Sequence, residues 1–92
     1  MNYDMMLGKY ISYAERVLPN DELNEVKHYY KHCEYEMALE GLLIELINTG
    51  KYPENFKYDK WEELVVYYDL NNESVFNEDI WDKFVLWEKK FN

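Results

Sequence analysis

The fifteen residues from Glu34 to Asn48 constrain this chain more than any other stretch. Tyr35, Ala38, Leu39, Leu42, Leu43, Leu46 and Ile47 recur at steps of three and one, which keeps them on one face of a 3.6-residue helix. Met37 and Ile44 fall on the opposite side, beside Glu40, Gly41 and Asn48. A helix apolar around most of its circumference must be flanked by protein on more than one side. The segment therefore reads as a central helix against which the other segments pack.

Those other segments carry helical spacing too. Tyr3, Leu7, Tyr10, Ala14 and Val17 step by four and three in a first helix, expected to run from about Tyr3 to Leu18 and to end at Pro19. Gly8 weakens it locally. Asn20 can cap a second helix, with Asp21 and Glu22 in its first turn and Leu23, Val26 and Tyr30 as its stripe, ending near His32. Gly50 stands where a left-handed cap would close the central helix. Residues 51–58 read as a loop ordered by Tyr52, Phe56 and Tyr58. Asp59 and Glu62 have the spacing of a capping box for a fourth helix, with Trp61, Leu64, Val65 and Tyr68 inward and Asn71–Asn72 as its end. Asn77 can cap the last helix, where Glu78, Asp79 and Asp82 fill the first turns and Ile80, Phe84, Trp87 and Phe91 form the core stripe. A turn of helix around Val75 and Phe76 is compatible with the connector before it. The expected fold is all-α: a single domain spanning residues 1–92, a bundle of about five helices around the central one.

Charge and cysteine content narrow the function. Nineteen acidic residues face ten basic ones, for a net charge of −9. Such a surface repels nucleic acid and anionic lipid and attracts basic proteins. Direct nucleic-acid binding needs clustered lysine and arginine, which Arg16 and scattered lysines do not provide. The single Cys33 forms no disulfide within the chain. The amino terminus lacks the pattern of a secretion signal, and no apolar run approaches the roughly eighteen residues of a membrane span. The expectation is a cytoplasmic protein.

Catalytic and metal constellations are weak. His28 and His32, with Glu25 one turn earlier, have a chelating spacing, but Tyr29 stands where a metalloprotease helix carries glutamate. His32 beside Cys33 gives neighbouring side chains about 100° apart, poor geometry for proton transfer. Glu36 and Glu40 are one turn apart, yet no third group or pocket accompanies them. Phosphate loops, nucleophile elbows and dinucleotide fingerprints are missing from the sequence. The chain is expected to be a binding protein rather than an enzyme, with no catalytic residues, no cofactor and no metal.

The distribution of acid is more informative. Eight acidic residues and one lysine lie between Asp59 and Asp82, and the central segment adds Glu34, Glu36, Glu40 and Glu45. Several serve helix amino termini, whereas Glu63, Asp69 and Glu73 have no such local role in the sequence. Among ten tyrosines, Tyr13, Tyr29 and Tyr67 fall off the apolar stripes. Tyrosine is favoured at interfaces for its large rigid contact area and single hydroxyl; tyrosines lying along helix flanks are the alternative. The candidate contact residues are Glu36, Glu40, Glu63, Tyr67, Asp69 and Glu73.

Glu34, Tyr35, Glu36, Ala38, Leu39 and Glu40, followed by the repeat through Leu42, Leu43 and Leu46, resemble the MafI-like immunity proteins, small helical antidotes encoded beside secreted bacterial toxins. Asp21, Glu22, Leu23 and Val26 upstream, and Trp81, Phe84 and Trp87 downstream, are compatible with that layout. The resemblance implies a cytoplasmic protein that binds the toxin domain of a polymorphic toxin system. Such toxins are often ribonucleases, the EndoU type among them, with basic substrate grooves. The family has no catalytic residues to carry over.

The leading expectation is an immunity protein that neutralises a nuclease toxin through an acidic, tyrosine-containing surface, either over the toxin's groove or away from it. The rivals are an acidic helical adaptor, a nucleic-acid mimic that inhibits another basic protein, and a metal-dependent enzyme using His28 and His32, which predicts bound zinc. On the leading reading, replacing Glu36 and Glu40 by lysine leaves helicity intact and weakens partner binding most at low salt.

Overall fold

Asn2 opens the first helix: its side chain accepts a hydrogen bond from the Met5 amide at 3.0 Å, and α1 follows over Tyr3–Ala14. The structure is a computed structural model that describes residues 2–91. Within them the remaining helices are α2 (Asn20–Lys31), α3 (Tyr35–Thr49), α4 (Tyr58–Tyr67) and α5 (Ile80–Lys89), and no strand occurs among the described residues. The fold is the expected all-α bundle, with Cα extents of 32 × 28 × 26 Å.

α3 is central. Ala38, Leu39, Leu42, Leu43 and Leu46 are completely buried, and the helix packs on α1, α2 and α5. α4 departs from the expectation that every segment meets α3, since it packs chiefly on α1. Trp61 of α4 stacks on Tyr10 of α1, with centroids 4.6 Å apart and planes within 7°. The cluster continues through Phe56 to Trp87. The loop before α4 is tied down as its aromatics suggest: Tyr52 stacks on Trp87 at 4.7 Å and donates its hydroxyl to the Trp87 carbonyl. The Trp87 indole in turn donates to the Lys51 carbonyl at 3.1 Å.

Helix ends depart most from the sequence reading. α1 stops at Ala14 and the chain turns through residues 15–17 before Leu18, because a proline disfavours helical backbone in the residue before it. Pro19, not Asn20, is the N-cap of α2: its carbonyl accepts from the Glu22 and Leu23 amides, and Asn20 is already helical. The Asp59–Glu62 capping box does not form, since Lys57 occupies the cap and Glu62 accepts from the Tyr58 hydroxyl at 3.0 Å. Asn77 does not cap α5. Asp79 does so without a side-chain bond, and the residues around Val75 and Phe76 are a bend rather than a helical turn.

Three helices close on a left-handed residue. Gly50 does so at φ 66°, with the Lys51 amide reaching back to the Leu46 carbonyl, as its position in the sequence foretells. Cys33 (φ 61°) plays the part for α2, with Glu34 bonded to Tyr29. Asp69 (φ 63°) plays it for α4, with Leu70 bonded to Val65. α4 therefore ends at Tyr67, ahead of Asn71–Asn72.

Gly8 proves to be a packing requirement. A Cβ there would lie 2.5 Å from the Tyr30 hydroxyl and 2.9 Å from its ring carbon, where Tyr30 crosses α1 to donate to the Asp4 carbonyl at 2.9 Å. In an open helix, Gly→Ala gains about 0.8–1.0 kcal/mol. Here overpacking costs about 1–3 kcal/mol. Gly8→Ala is therefore expected to lower the thermal midpoint, and Gly8→Ala combined with Tyr30→Ala to lose that penalty.

Candidate interaction surface

Glu40 requires the largest correction. The sequence reading turns it outward as a contact residue, but it is completely buried and cannot meet a partner. Its Oε1 accepts from the Val75 amide at 2.6 Å, and its Oε2 from the Phe76 and Asn77 amides at 3.0 and 2.7 Å. Three consecutive backbone donors thus close on one carboxylate, an internal version of the anion-binding backbone nest. Glu40 anchors the connector between α4 and α5. Lysine at this position would bury a second set of donors against those amides, so the Glu40→Lys half of the charge-reversal experiment would disrupt the fold rather than test an interface.

The other candidates remain at the surface. Glu36 is exposed in the first turn of α3, and Glu63, Asp69 and Glu73 are exposed on α4 and the chain after it. None of the four forms an ion pair among the described residues, where the pairs are Arg16–Glu54, Lys27–Glu15 and Lys83–Asp79. Asp69 does have a local role: besides its left-handed backbone, its Oδ1 accepts from the Asn72 side chain at 2.8 Å. Tyr67 is 56% exposed and stacks face to face on Tyr3 at 4.0 Å. Tyr68 beside it is half-buried and donates to the Asp4 carboxylate, and burial followed by that bond raises its pKa. Glu63, Tyr67, Asp69 and Glu73 thus belong to one region around the end of α4. Glu36 and Glu40 belong to α3.

A groove between α2 and α3 escaped the sequence reading. It encloses about 170 Å³ and is lined by Val26, Gly41 and Ile44 together with the carboxylates of Glu22, Glu25 and Glu45. The helices approach closely here, for a Cβ on Gly41 would sit 3.3 Å from a Val26 methyl. Tyr29 and Phe76 complete the groove with rings 5.9 Å apart. Tyr29 also donates its hydroxyl to Glu25 at 2.9 Å. Oε2 of Glu22 is buried with no hydrogen-bond partner among the described residues. Desolvation raises the pKa of Glu45, and the charges of Glu22 and Glu25 raise it further. Tyr29 was visible in the sequence as a residue off its stripe. Phe76 had no periodic pattern to place it, because the connector it stands on is shaped by Glu40.

The elevated pKa of Glu45 has a consequence for stability. A carboxyl that binds its proton more tightly in the folded state than in the unfolded one contributes stability below its unfolded pKa. That contribution is lost as the pH rises through the folded pKa. At neutral pH the ionised Glu45 thus opposes folding. Glu45→Gln is expected to raise the melting temperature at pH 7, with the gain vanishing below about pH 4, where the native carboxyl is protonated too. Melts of the two chains across this range would check it.

The histidines and the cysteine do not converge on a site. His32 directs Nδ1 to the His28 carbonyl at 2.9 Å rather than to Cys33, and exposed Cys33 accepts from the Tyr35 hydroxyl at 3.5 Å. Among the described residues no group of three or more histidine, cysteine or acidic side chains is placed to hold a metal ion. No described helix is long and apolar enough to cross a membrane. No protein-family model, curated protein or solved structure matches this chain.

Proposed function

We propose that this protein is an immunity protein, similar to the MafI-like antidotes, that binds and neutralises the nuclease domain of a cognate bacterial toxin. The observation that carries the reading is the set of exposed carboxylates, Glu36, Glu63, Asp69 and Glu73, that have no cationic partner among the described residues, with exposed Tyr67 on α4 beside the last three. Ion pairs with lysines and arginines of a nucleic-acid-binding groove would complete them, and tyrosine supplies the desolvated contact that a tight interface centres on. A ribonuclease fits this chemistry, since its groove is built to hold phosphates. The antidote acts in the cytoplasm of the toxin-producing cell and needs no cofactor or catalytic group of its own.

Co-expression with the toxin domain encoded by the adjacent reading frame tests it. The expected result is restored growth and a complex that survives purification. Glu63→Lys with Glu73→Lys, both exposed, should leave helicity unchanged and weaken the complex about tenfold at low salt, with the difference shrinking as salt is added. Growth arrest in the presence of this protein, with no complex formed, would overturn the proposal.

A further inference from the structure

The groove between α2 and α3 is smaller than the roughly 300–1,000 Å³ of typical small-molecule sites, and at about 170 Å³ it suits one long side chain. Two kinds of surface share its walls. Val26 and Ile44 offer apolar contact, and Tyr29 and Phe76 offer ring faces. Glu22, Glu25 and Glu45 add three carboxylates, and no lysine or arginine lines the groove among the described residues. Buried carboxylate oxygens are ordinarily hydrogen-bonded, yet Oε2 of Glu22 lacks a donor within the described chain. Phe76 is 50% exposed and is held in place at its backbone by Glu40, so its position is set before any partner arrives.

The geometry points to this groove as the seat of one arginine side chain from a protein partner, its stem against Val26 and Ile44 and its guanidinium between the glutamates and the Tyr29 and Phe76 rings. The partner's identity as a basic protein rests on the antidote reading; the chemistry of the groove does not. Arginine matches the walls better than lysine. Its planar guanidinium takes carboxylates with paired donors, stacks on aromatic faces and is weakly hydrated, whereas an ammonium is a strongly hydrated point charge. Glu40 acts as a positioning residue, through Phe76.

The test uses the full chain, isotope-labelled and titrated by NMR with N-acetyl-arginine methylamide and, separately, its lysine counterpart. Saturable shifts confined to the amides of Gly41, Ile44, Glu45 and Phe76 are expected, with the lysine probe about fivefold weaker. Phe76→Ala and Glu45→Gln should each weaken the arginine probe about tenfold while circular dichroism stays native. Shifts spread evenly over the Asp59–Asp82 carboxylates, equal response to both probes, or indifference to Phe76→Ala would each overturn the inference. Growth rescue is read separately. A chain that rescues cells but ignores the arginine probe sinks the groove alone, and one that binds the probe but rescues nothing sinks the antidote reading alone.

Discussion

Glu40→Ala is expected to lower the free energy of unfolding by about 3–5 kcal/mol, measured by urea denaturation. The substitution removes one acceptor group from three backbone amides at 2.6–3.0 Å, each a hydrogen bond to a charged partner. The connector is partly exposed at Val75 and Phe76, so water recovers part of the loss. Glu40→Gln is expected to fall between, at about 1–2 kcal/mol. Its single carbonyl can keep the Phe76 and Asn77 bonds, but its amide group would face the Val75 N–H. Hydrogen exchange at the amides of residues 75–77 should accelerate in both variants while α2 and α3 stay protected. A Glu40→Ala protein as stable as the parent would show that the connector is held by other contacts. The order Ala below Gln below Glu would identify the carboxylate as the anchor.

Trp61→Ala is expected to cost about 3–5 kcal/mol and to be felt on three elements at once. The indole is 1% exposed and stacks on Tyr10 of α1. Phe56 and Trp87 contact its other edges at centroid distances of 5.8 and 6.3 Å. Its removal leaves a cavity between α1, the 51–57 loop and α5 that these rigid rings refill poorly. Trp61→Phe keeps an aromatic face on Tyr10 and should lose less. Denaturation curves for the two variants, with the near-ultraviolet signal of Trp81 and Trp87 as a second probe, would measure this. A loss below about 1 kcal/mol for alanine would mean that α4 is not held by the Tyr10–Trp61 stack, contrary to its packing on α1.

The Trp61 prediction lies outside the proposed contact surfaces and serves as a control, whereas Glu40→Ala also frees Phe76 at the α2–α3 groove. A charge reversal at Glu63 and Glu73 is informative about binding because those side chains reach solvent. One that includes Glu40 is informative only about folding. The distinction could not be made from spacing. Glu36 and Glu40 are one turn apart on the same helix, with the same side chain, and the sequence offers no reason to separate them. What separates them is a connector more than thirty residues downstream, whose three amides meet one carboxylate and not the other.

Local sequence was sufficient for what local physics governs. The 3.6-residue recurrence through Leu39, Leu42, Leu43 and Leu46 identified α3 and its burial, and the aromatic content of residues 51–58 anticipated a loop that packs. Gly50 announced its own left-handed cap, because only a residue without a side chain takes that backbone at little cost. The same backbone at Cys33 and Asp69 gave no such sign, since it is imposed by the turns that follow. Tertiary structure alone decided that α4 would lean on α1 rather than α3, and that Gly8 would make room for Tyr30. It also brought Glu22 and Glu25 of α2, Glu45 of α3 and Phe76 of the connector around one groove. Periodicity tells which side of a helix is apolar. It does not tell which distant backbone will donate to a carboxylate on that helix, or which carboxylates from two helices will line one groove, because those depend on where the chain returns.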